Sequence, residues 1–542
     1  VSEKKSDEII LSKFEQNVFE HMQAGFPILN ITTVEEGRAE ASLARICERA
    51  KMKVFPNLSM TRWDCVGGWD SPKDIAGKMQ DPLVALQAMP GNKFSGHKLF
   101  VMRDLDDFWS APDVTRILRT YYFQRTLVNQ TASKRPMVVL TPGTREVPPK
   151  LRNCITTIDF QLPDAEDLLH IVTGIALSIY GESRPATVTP QLLDDVAHTL
   201  LGLTTSEAED VLALCSVKHR GLVPEMMATI KDEKATIIKQ SEILTYISED
   251  KLPNPEDIGG YDNLKEFINR RKLAYSREAR ESQLDMPKGI ILLGVPGTGK
   301  SFVAYALGGM LGLPVFEFNV GAVYGSLVGE SEARMRSALK TIDAQHGCVM
   351  LVDEADKAFG GAADAVGDSG VTKRVMGNLL TWLAAKKDRT FVVMTLNRID
   401  GLPPELLRPG RFDKVFFTDL PEADTRKEIL KIHFRKRGIK PEDLKLNPAD
   451  WKHIVDRTDR FVGAELEEIV REARYLAFEA RQSGVPTFAE ITAAATSIKP
   501  LSTLDEEGVE KIRKFCNGKA TNVEKEQAVQ ADERRAVTFE TN

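Results

Sequence analysis

The sequence predicts an α/β protein of two parallel-sheet domains, each followed by a helical lid, and three observations predict it. Short apolar runs alternate with helical periodicities in both halves, the pattern of strands joined by crossover helices. In the second half, the run Gly289-Ile-Ile-Leu-Leu293 opens into a complete G-x-x-x-x-G-K-[ST] phosphate loop, Gly294-Val-Pro-Gly-Thr-Gly-Lys-Ser301. The first half has a similar order of strands but lacks that loop. At 542 residues the chain is too long for one core and suggests two or three domains.

Taken in order, residues from about 26 to 33 read as an apolar strand, followed by an acidic helix start at Glu35-Glu36 and a helical stretch to about Ala50. Lys98-Leu-Phe-Val-Met102 is a second strand, ending in Arg103-Asp-Leu-Asp-Asp107, and Pro112 to Val128 is helical. Arg135–Pro142 and Ile155–Phe160 are further strands, with a Pro-x-x-Leu-Arg turn at Pro149–Arg152 between them. The first strand leads into Thr32-Thr-Val-Glu-Glu36, with no glycine loop and no lysine, so this site would repel phosphate. Asp104, Asp106 and Asp107 have no phosphate partner and read as solvated strand-end charges. Residues 1–162 thus form one α/β domain, 163–230 its helical lid, and 231–256 a helical and then extended linker ending Leu-Pro-Asn-Pro-Glu.

The second domain, 257–420, carries the chemistry. A strand, a glycine turn and an apolar helix from Phe302 to Leu311 place backbone N–H groups around a phosphate, where the helix dipole favours negative charge. Pro296, Gly297, Thr298 and Gly299 form that turn, Lys300 would reach the β/γ-phosphates, and the Ser301 hydroxyl would hold Mg²⁺. Cys348-Val-Met-Leu-Val352 is a buried-type strand that delivers Asp353 and Glu354 at its carboxyl end. Asp353 would hold the metal through water, and Glu354 would act as general base on the attacking water. Phe391-Val-Val-Met-Thr395 leads to Asn397, whose amide could orient that water. In Leu406-Leu-Arg-Pro-Gly-Arg-Phe-Asp413, Arg408 and Arg411 flank a Pro-Gly turn, so both guanidinium groups should project at the surface, suited to a phosphate across a subunit boundary.

These motifs, in this order and spacing, resemble the AAA family of hexameric ATPases from Asp257-Ile-Gly-Gly260 to at least Ala473, including Gly329-Glu-Ser-Glu332 and Phe461-Val-Gly-Ala-Glu-Leu466. The resemblance implies an AAA+ phosphate-loop NTPase domain with a helical lid over 421–500, which takes ATP and Mg²⁺, hydrolyses the ATP and assembles as a homohexamer. By it, Asp257, Ile258 and Gly259 would line the adenine, joined by His433, Gly463 and Ala464 of the lid. Asn263-Leu-Lys-Glu266, Val320-Gly321, Leu327-Val-Gly-Glu330, Asp356-Lys-Ala-Phe359 and Gly367-Asp-Ser-Gly370 carry a closer resemblance. They look like the cyanobacterial and plastid AAA proteins known as hypothetical chloroplast reading frames, and their bacterial relatives. Pro27–Glu36 and Lys231–Lys234 extend that likeness to the first half, which then reads as a degenerate ATPase-like domain. An unrelated α/β domain is the alternative.

Composition narrows the function. With 72 basic and 78 acidic residues, a net charge of −6 gives no electrostatic case for general nucleic-acid binding. Six scattered cysteines, with no Cys-x-x-Cys pair, read as packing residues of a reduced compartment. No apolar run approaches the ~20 residues of a membrane helix and the first residues lack the core of a signal peptide, which points to the cytosol or a plastid stroma. Residues 501–516 read as a further helix and 517–542 as a disordered tail. In AAA remodelling proteins an aromatic residue precedes the Val-Gly of the pore segment. Here Leu327 holds that place and Tyr324 lies three residues away, so threading of a polypeptide is unsupported. Three functions fit: a ring remodelling a protein client, a slow ATP-dependent regulatory switch, and, with least support, a nucleic-acid motor or loader.

Overall fold

The structure is a computed structural model. It describes residues 11–525 apart from 54–57, 91–93, 95–96, 128–135, 143–146, 182–184, 324–329, 346, 361–368, 387–388, 400–403 and 409. The pore segment containing Tyr324 and Leu327 therefore lies outside the described residues. The chain divides near residue 230 into two compact units, the first of which also takes in the 326–344 stretch.

The first unit is built on a six-stranded sheet: β1 (Ile28–Thr32), β2 (Ser59–Asp64), β3 (Gly68–Trp69), β4 (Lys98–Arg103), β5 (Met137–Thr141) and β6 (Thr156–Asp159). Their order is β3-β2-β4-β5-β1-β6, parallel except for β3, which turns back on β2. Side chains alternate between two faces along a strand. Ile28 thus joins a core with Trp63, Trp69, Phe100 and Trp109, while Leu29 and Ile31 join another with Phe19, Leu43 and Val101. Both faces are covered, as a parallel sheet requires. Four helices follow at Ala165–Tyr180, Pro190–Leu200, Thr205–His219 and Met226–Lys239. The Thr204 hydroxyl and Glu207 carboxylate form a reciprocal capping box that starts the third of these.

The second unit has seven strands: β7 (Leu244–Ile247), β8 (Gly289–Gly294), β9 (Val315–Phe318), β10 (Cys348–Val352), β11 (Thr390–Leu396), β12 (Lys414–Thr418) and β13 (Thr521–Asn522). Their order is β13-β12-β8-β11-β10-β9-β7, with β7 antiparallel to β9 and the rest parallel. Numbered by chain order within each sheet, the five principal parallel strands of both units run 5-1-4-3-2. The fold class is the one expected: an AAA+ phosphate-loop domain with a helical lid, preceded by an α/β domain of the same strand order with its own helices. The second lid comprises helices Ala423–Lys436, Pro448–Arg457, Gly463–Arg481 and Phe488–Ser497 around Leu430, Phe434, Trp451 and Ile469.

Three segments differ from expectation. The stretch read as a linker completes the helix Met226–Lys239 and then supplies the edge strand β7, because Leu244 and Tyr246 are buried against Phe316 and Phe318. The stretch read as a disordered tail supplies β13, whose pairing with β12 buries Val523; residues 526–542 lie outside the described residues. The single helix expected over 501–516 is broken at Asp505 into Leu501–Leu504 and Glu506–Cys516. No helix among the described residues is long and apolar enough to cross a membrane.

Candidate active site

Parallel strands bring their carboxyl ends to one edge of a sheet, where α/β proteins place their ligands. At that edge of the second unit β8 lies beside β11, and β11 beside β10, so the residues following these three strands meet. β8 is buried throughout and turns into the helix Lys300–Leu311 through Gly297 and Gly299, at φ 80° and 92°. Left-handed backbone costs an L-residue about 1–2 kcal/mol. A Cβ at Gly299 would meet nothing within 4 Å, so conformation, and not crowding, selects glycine there.

Lys300 is 5 % exposed, and its ammonium donates to the carbonyls of Gly294 at 3.0 Å and Val295 at 2.8 Å. Burial draws its pKa down to about 8, opposed by Asp356, Asp353 and Glu354. Ser301 Oγ donates to Asp353 Oδ1 at 2.9 Å, and Thr395 Oγ1 donates to the same oxygen at 2.5 Å. The Thr395 hydroxyl also accepts the Glu354 N–H at 2.8 Å. Glu354 itself sits at φ 48°, an uncommon conformation for a non-glycine residue. Asn397 Nδ2 donates to Glu354 Oε1 at 3.2 Å, while the Asn397 N–H donates to Asp356 Oδ1 at 3.0 Å. Lys357, exposed, forms an ion pair with the Glu354 carboxylate.

The lid and the segment before the first helix complete a cavity of about 510 Å³, within the range of about 300–1,000 Å³ typical of ligand pockets. Asp257, Ile258 and Gly259 form one wall, with His433 of the helix Ala423–Lys436. Gly463 and Ala464 begin the helix Gly463–Arg481, and the Ala464 N–H donates to the Gly297 carbonyl at 3.1 Å. Pro296, Gly297, Thr298, Gly299, Lys300, Ser301, Glu354 and Asn397 line the remainder. Asp353 stands just behind, reached through Ser301.

His433 Nδ1 is buried with no hydrogen-bond partner. Burial lowers the imidazole pKa, countered by Glu467 and Asp257 and reinforced by Lys436 and Arg437. A neutral ring with an unused nitrogen suits a purine edge. Glycine turn, buried lysine and orphan imidazole together fit a nucleoside triphosphate. The Ser301 hydroxyl and Asp353 carboxylate are hard oxygen donors of the kind Mg²⁺ takes alongside substrate phosphates. Among the described residues no group of three or more His, Cys, Asp or Glu is arranged to hold a metal.

Arg408 and Arg411 do not line this cavity. Only Arg408 projects as expected, 67 % exposed and 3.6 Å from Glu405. Arg411 is half-buried because its guanidinium folds back to donate to the Glu405 carbonyl at 2.8 Å. The sequence reading missed Thr395 and Asp356 as members of the network and Tyr261, whose hydroxyl donates to the Thr298 carbonyl at 3.1 Å. The Thr-x-Asn spacing could have pointed to the first; nothing local signals the last.

In the first unit the place of the glycine loop is taken by Thr33, Val34 and Glu35. Glu35, 7 % exposed, accepts the Thr205 N–H at 2.6 Å through Oε1 and pairs with Arg38 at 2.7 Å through Oε2. A side-chain carboxylate thus meets the start of the helix Thr205–His219.

Comparisons with known proteins agree with this geometry. Residues 290–420 match the ATPase family associated with various cellular activities (AAA), and 448–491 match the AAA+ lid domain. Residues 14–160 and 166–241 match the N-terminal and second domains of SpoVK-like AAA ATPases. The chain belongs to the AAA ATPase family. Within it, the chain is 32 % identical over 508 residues to the AAA domain-containing protein ycf46 of Trieres chinensis, covering 93 % of this chain and 97 % of that protein. It is 30 % identical to the ycf46 protein of Pyropia yezoensis over 94 % of this chain and 99 % of that one. The ATP-dependent zinc metalloprotease FtsH of Pseudothermotoga lettingae shares 36 % identity over 228 residues, 41 % of this chain and 35 % of that protein.

Proposed function

We propose that the chain binds ATP with Mg²⁺ in the second unit's cavity, hydrolyses it to ADP and phosphate, and works as a homohexameric ring that remodels or regulates a protein partner. The observation that carries the hydrolytic reading is the network joining Ser301, Asp353, Thr395, Glu354 and Asn397 beside a buried lysine.

The metal, when bound, offsets phosphate charge and polarises the transferring phosphoryl group. Ser301 and Asp353 would hold it. Lys300, near pKa 8 and still largely protonated at neutral pH, balances the terminal phosphates. Glu354 accepts a proton from water as the water oxygen bonds to the terminal phosphorus and the bond to the leaving ADP oxygen breaks. Asn397, hydrogen-bonded to Glu354, fixes the direction of that carboxylate. The lid wall of His433, Gly463 and Ala464 holds the base and limits water.

The ring is supported by the turn that presents Arg408 away from the chain's own cavity, and by the hexamers common among AAA proteins. A protein client is supported by the segment shared with FtsH, whose name records ATP-dependent proteolysis. The six cysteines stand as thiols, which fits a reducing compartment such as cytosol or plastid stroma. Glu354→Gln should keep ATP bound and stop its hydrolysis, and should retain the client in a pull-down. Hydrolysis by Glu354→Gln equal to wild type would remove the catalytic assignment. Turnover stimulated by DNA and not by protein would replace the client reading with a nucleic-acid motor.

A further inference from the structure

The motif Asn263-Leu-Lys-Glu266 has no part in the chemistry above, yet its residues lie immediately after the wall Asp257–Tyr261. Asn263 spends its whole donor capacity on one segment near the end of the described chain. Its N–H donates to the Val523 carbonyl at 2.9 Å, and its Nδ2 donates to the carbonyls of Asn522 at 3.0 Å and Glu524 at 2.8 Å. On its other side that segment is strand β13, and the Val523 N–H donates to the Phe417 carbonyl of β12 at 3.0 Å. Val523 is 3 % exposed and packs with Ile258, Phe267 and Phe416. Lys265 completes the joint by donating to the Ile258 carbonyl at 2.7 Å.

Glu524 reaches a third element. Its carboxylate faces the Glu422 N–H and the Thr425 hydroxyl, which favour the ionised form against the burial that raises its pKa. Glu422 is the N-cap of the lid helix Ala423–Lys436, and its own side chain makes no capping bond. A carboxylate there faces the unpaired N–H groups and the positive dipole end of that helix. The contact is close: a Cβ at Gly260, at φ +70°, would lie 2.8 Å from Thr425 Cγ2 and 3.0 Å from Glu524 Oε1. The Gly260 N–H in turn donates to Glu428 Oε2 at 3.0 Å. The same helix carries His433 and Ile429 into the cavity.

We propose that residues 521–524 form a latch that fixes the first lid helix against the wall Asp257–Tyr261, with Asn263 and Glu524 as positioning residues for the nucleotide. The inference rests on the reading of the cavity as a nucleotide site. The latch touches neither Glu354 nor Asn397, so it governs how long nucleotide is held and not how fast it is cleaved once bound.

The test uses the full chain and a fluorescent N-methylanthraniloyl adenine nucleotide. Asn263→Ala and Glu524→Ala should each weaken binding about tenfold, the order expected for a lost hydrogen bond to a charged or buried group. The loss should appear in the dissociation rate, with kcat at saturating ATP retained. Glu524→Gln keeps an acceptor for Thr425 and should restore binding. Hydrogen exchange at Glu422–Thr425 should quicken in Glu524→Ala alone of the two Glu524 variants, a readout independent of nucleotide. Wild-type release and exchange in both alanine variants would overturn the latch. Lys300→Ala separates the two claims: if it binds nucleotide like wild type the site reading itself fails, whereas loss of binding there beside unaffected alanine variants removes the latch alone.

Discussion

Removing the Thr395 hydroxyl should uncouple the two acids that follow β10. Thr395 is 1 % exposed, donates to Asp353 at 2.5 Å and accepts the Glu354 N–H at 2.8 Å. Thr395→Val keeps the shape and deletes both bonds. The stranded N–H costs about 1–3 kcal/mol, and the lost bond to a carboxylate about 1.5–3 kcal/mol. Some of this will appear as lowered stability. The rest falls on Glu354, whose φ of 48° is a conformation the hydroxyl helps to hold. If about 2 kcal/mol of alignment is lost, kcat drops about thirtyfold, since ~1.4 kcal/mol is tenfold in rate. KM should change little, because the Lys300 contacts and the lid bond from Ala464 are untouched. Thr395→Ser restores the hydroxyl and should recover most of the rate. A coupled ATPase assay over a range of ATP, with a melting curve for each variant, separates kcat, KM and folding. A folded Thr395→Val with kcat within twofold of wild type would show that this hydroxyl does not align Glu354.

Three further outcomes are expected. Lys300→Ala and Arg408→Ala should each be inactive alone, and mixing them should restore partial turnover if the arginine turn completes a neighbour's site; co-assembled mixtures with none would remove the main support for a shared site. His433 is held below its usual pKa by burial, so the fold favours the neutral ring. Its contribution is therefore present above pH 6.5 and is lost as pH falls through 6.5 toward the folded value. His433→Asn should show a shallower acid-side loss of melting temperature between pH 7.5 and 5.5, and an unchanged slope would discount the buried imidazole. Asp104→Asn, in the unit without a phosphate loop, should leave turnover nearly unchanged; a large loss in steady-state rate would give that unit a catalytic part.

The phosphate loop, the Asp353-Glu354 pair and the Thr-x-Asn spacing were legible because each is contiguous and follows an apolar run. What escaped depends on partners distant in the chain. β2 is missed since its buried positions alternate with Arg62 and Asp64 and form no apolar run. β7 and β13 are short edge strands whose partners lie 68 to 105 residues away, at Val315–Phe318 and Phe416–Phe417. Glu524 reads as one charge in a polar tail until β13 carries it to the lid helix. The half-burial of Arg411 follows from a turn that returns its guanidinium to the Glu405 carbonyl, which a Pro-Gly pair does not specify.

The two sheets share a strand order, so their difference is one of charge at equivalent edges. In the second unit the first strand ends in a glycine turn and a buried cation, and the lid touches it through a neutral backbone bond from Ala464. A site of about 510 Å³ is left open beside that buried lysine. In the first unit the first strand ends at Glu35, and the anion is already covalently present. It is matched by Arg38, which also pairs with Asp167 at 3.1 Å, and by the backbone of Thr205. An internal carboxylate neither dissociates nor is hydrolysed, so the contact it makes with its helix does not follow the nucleotide state. The second unit's glycine turn carries no such carboxylate, and its contact with the helix Gly463–Arg481 is a backbone bond. One strand order thus serves a half closed by its own carboxylate and a half left open at its glycine turn, and the substitution that separates them is glycine and lysine for threonine and glutamate at the end of one strand.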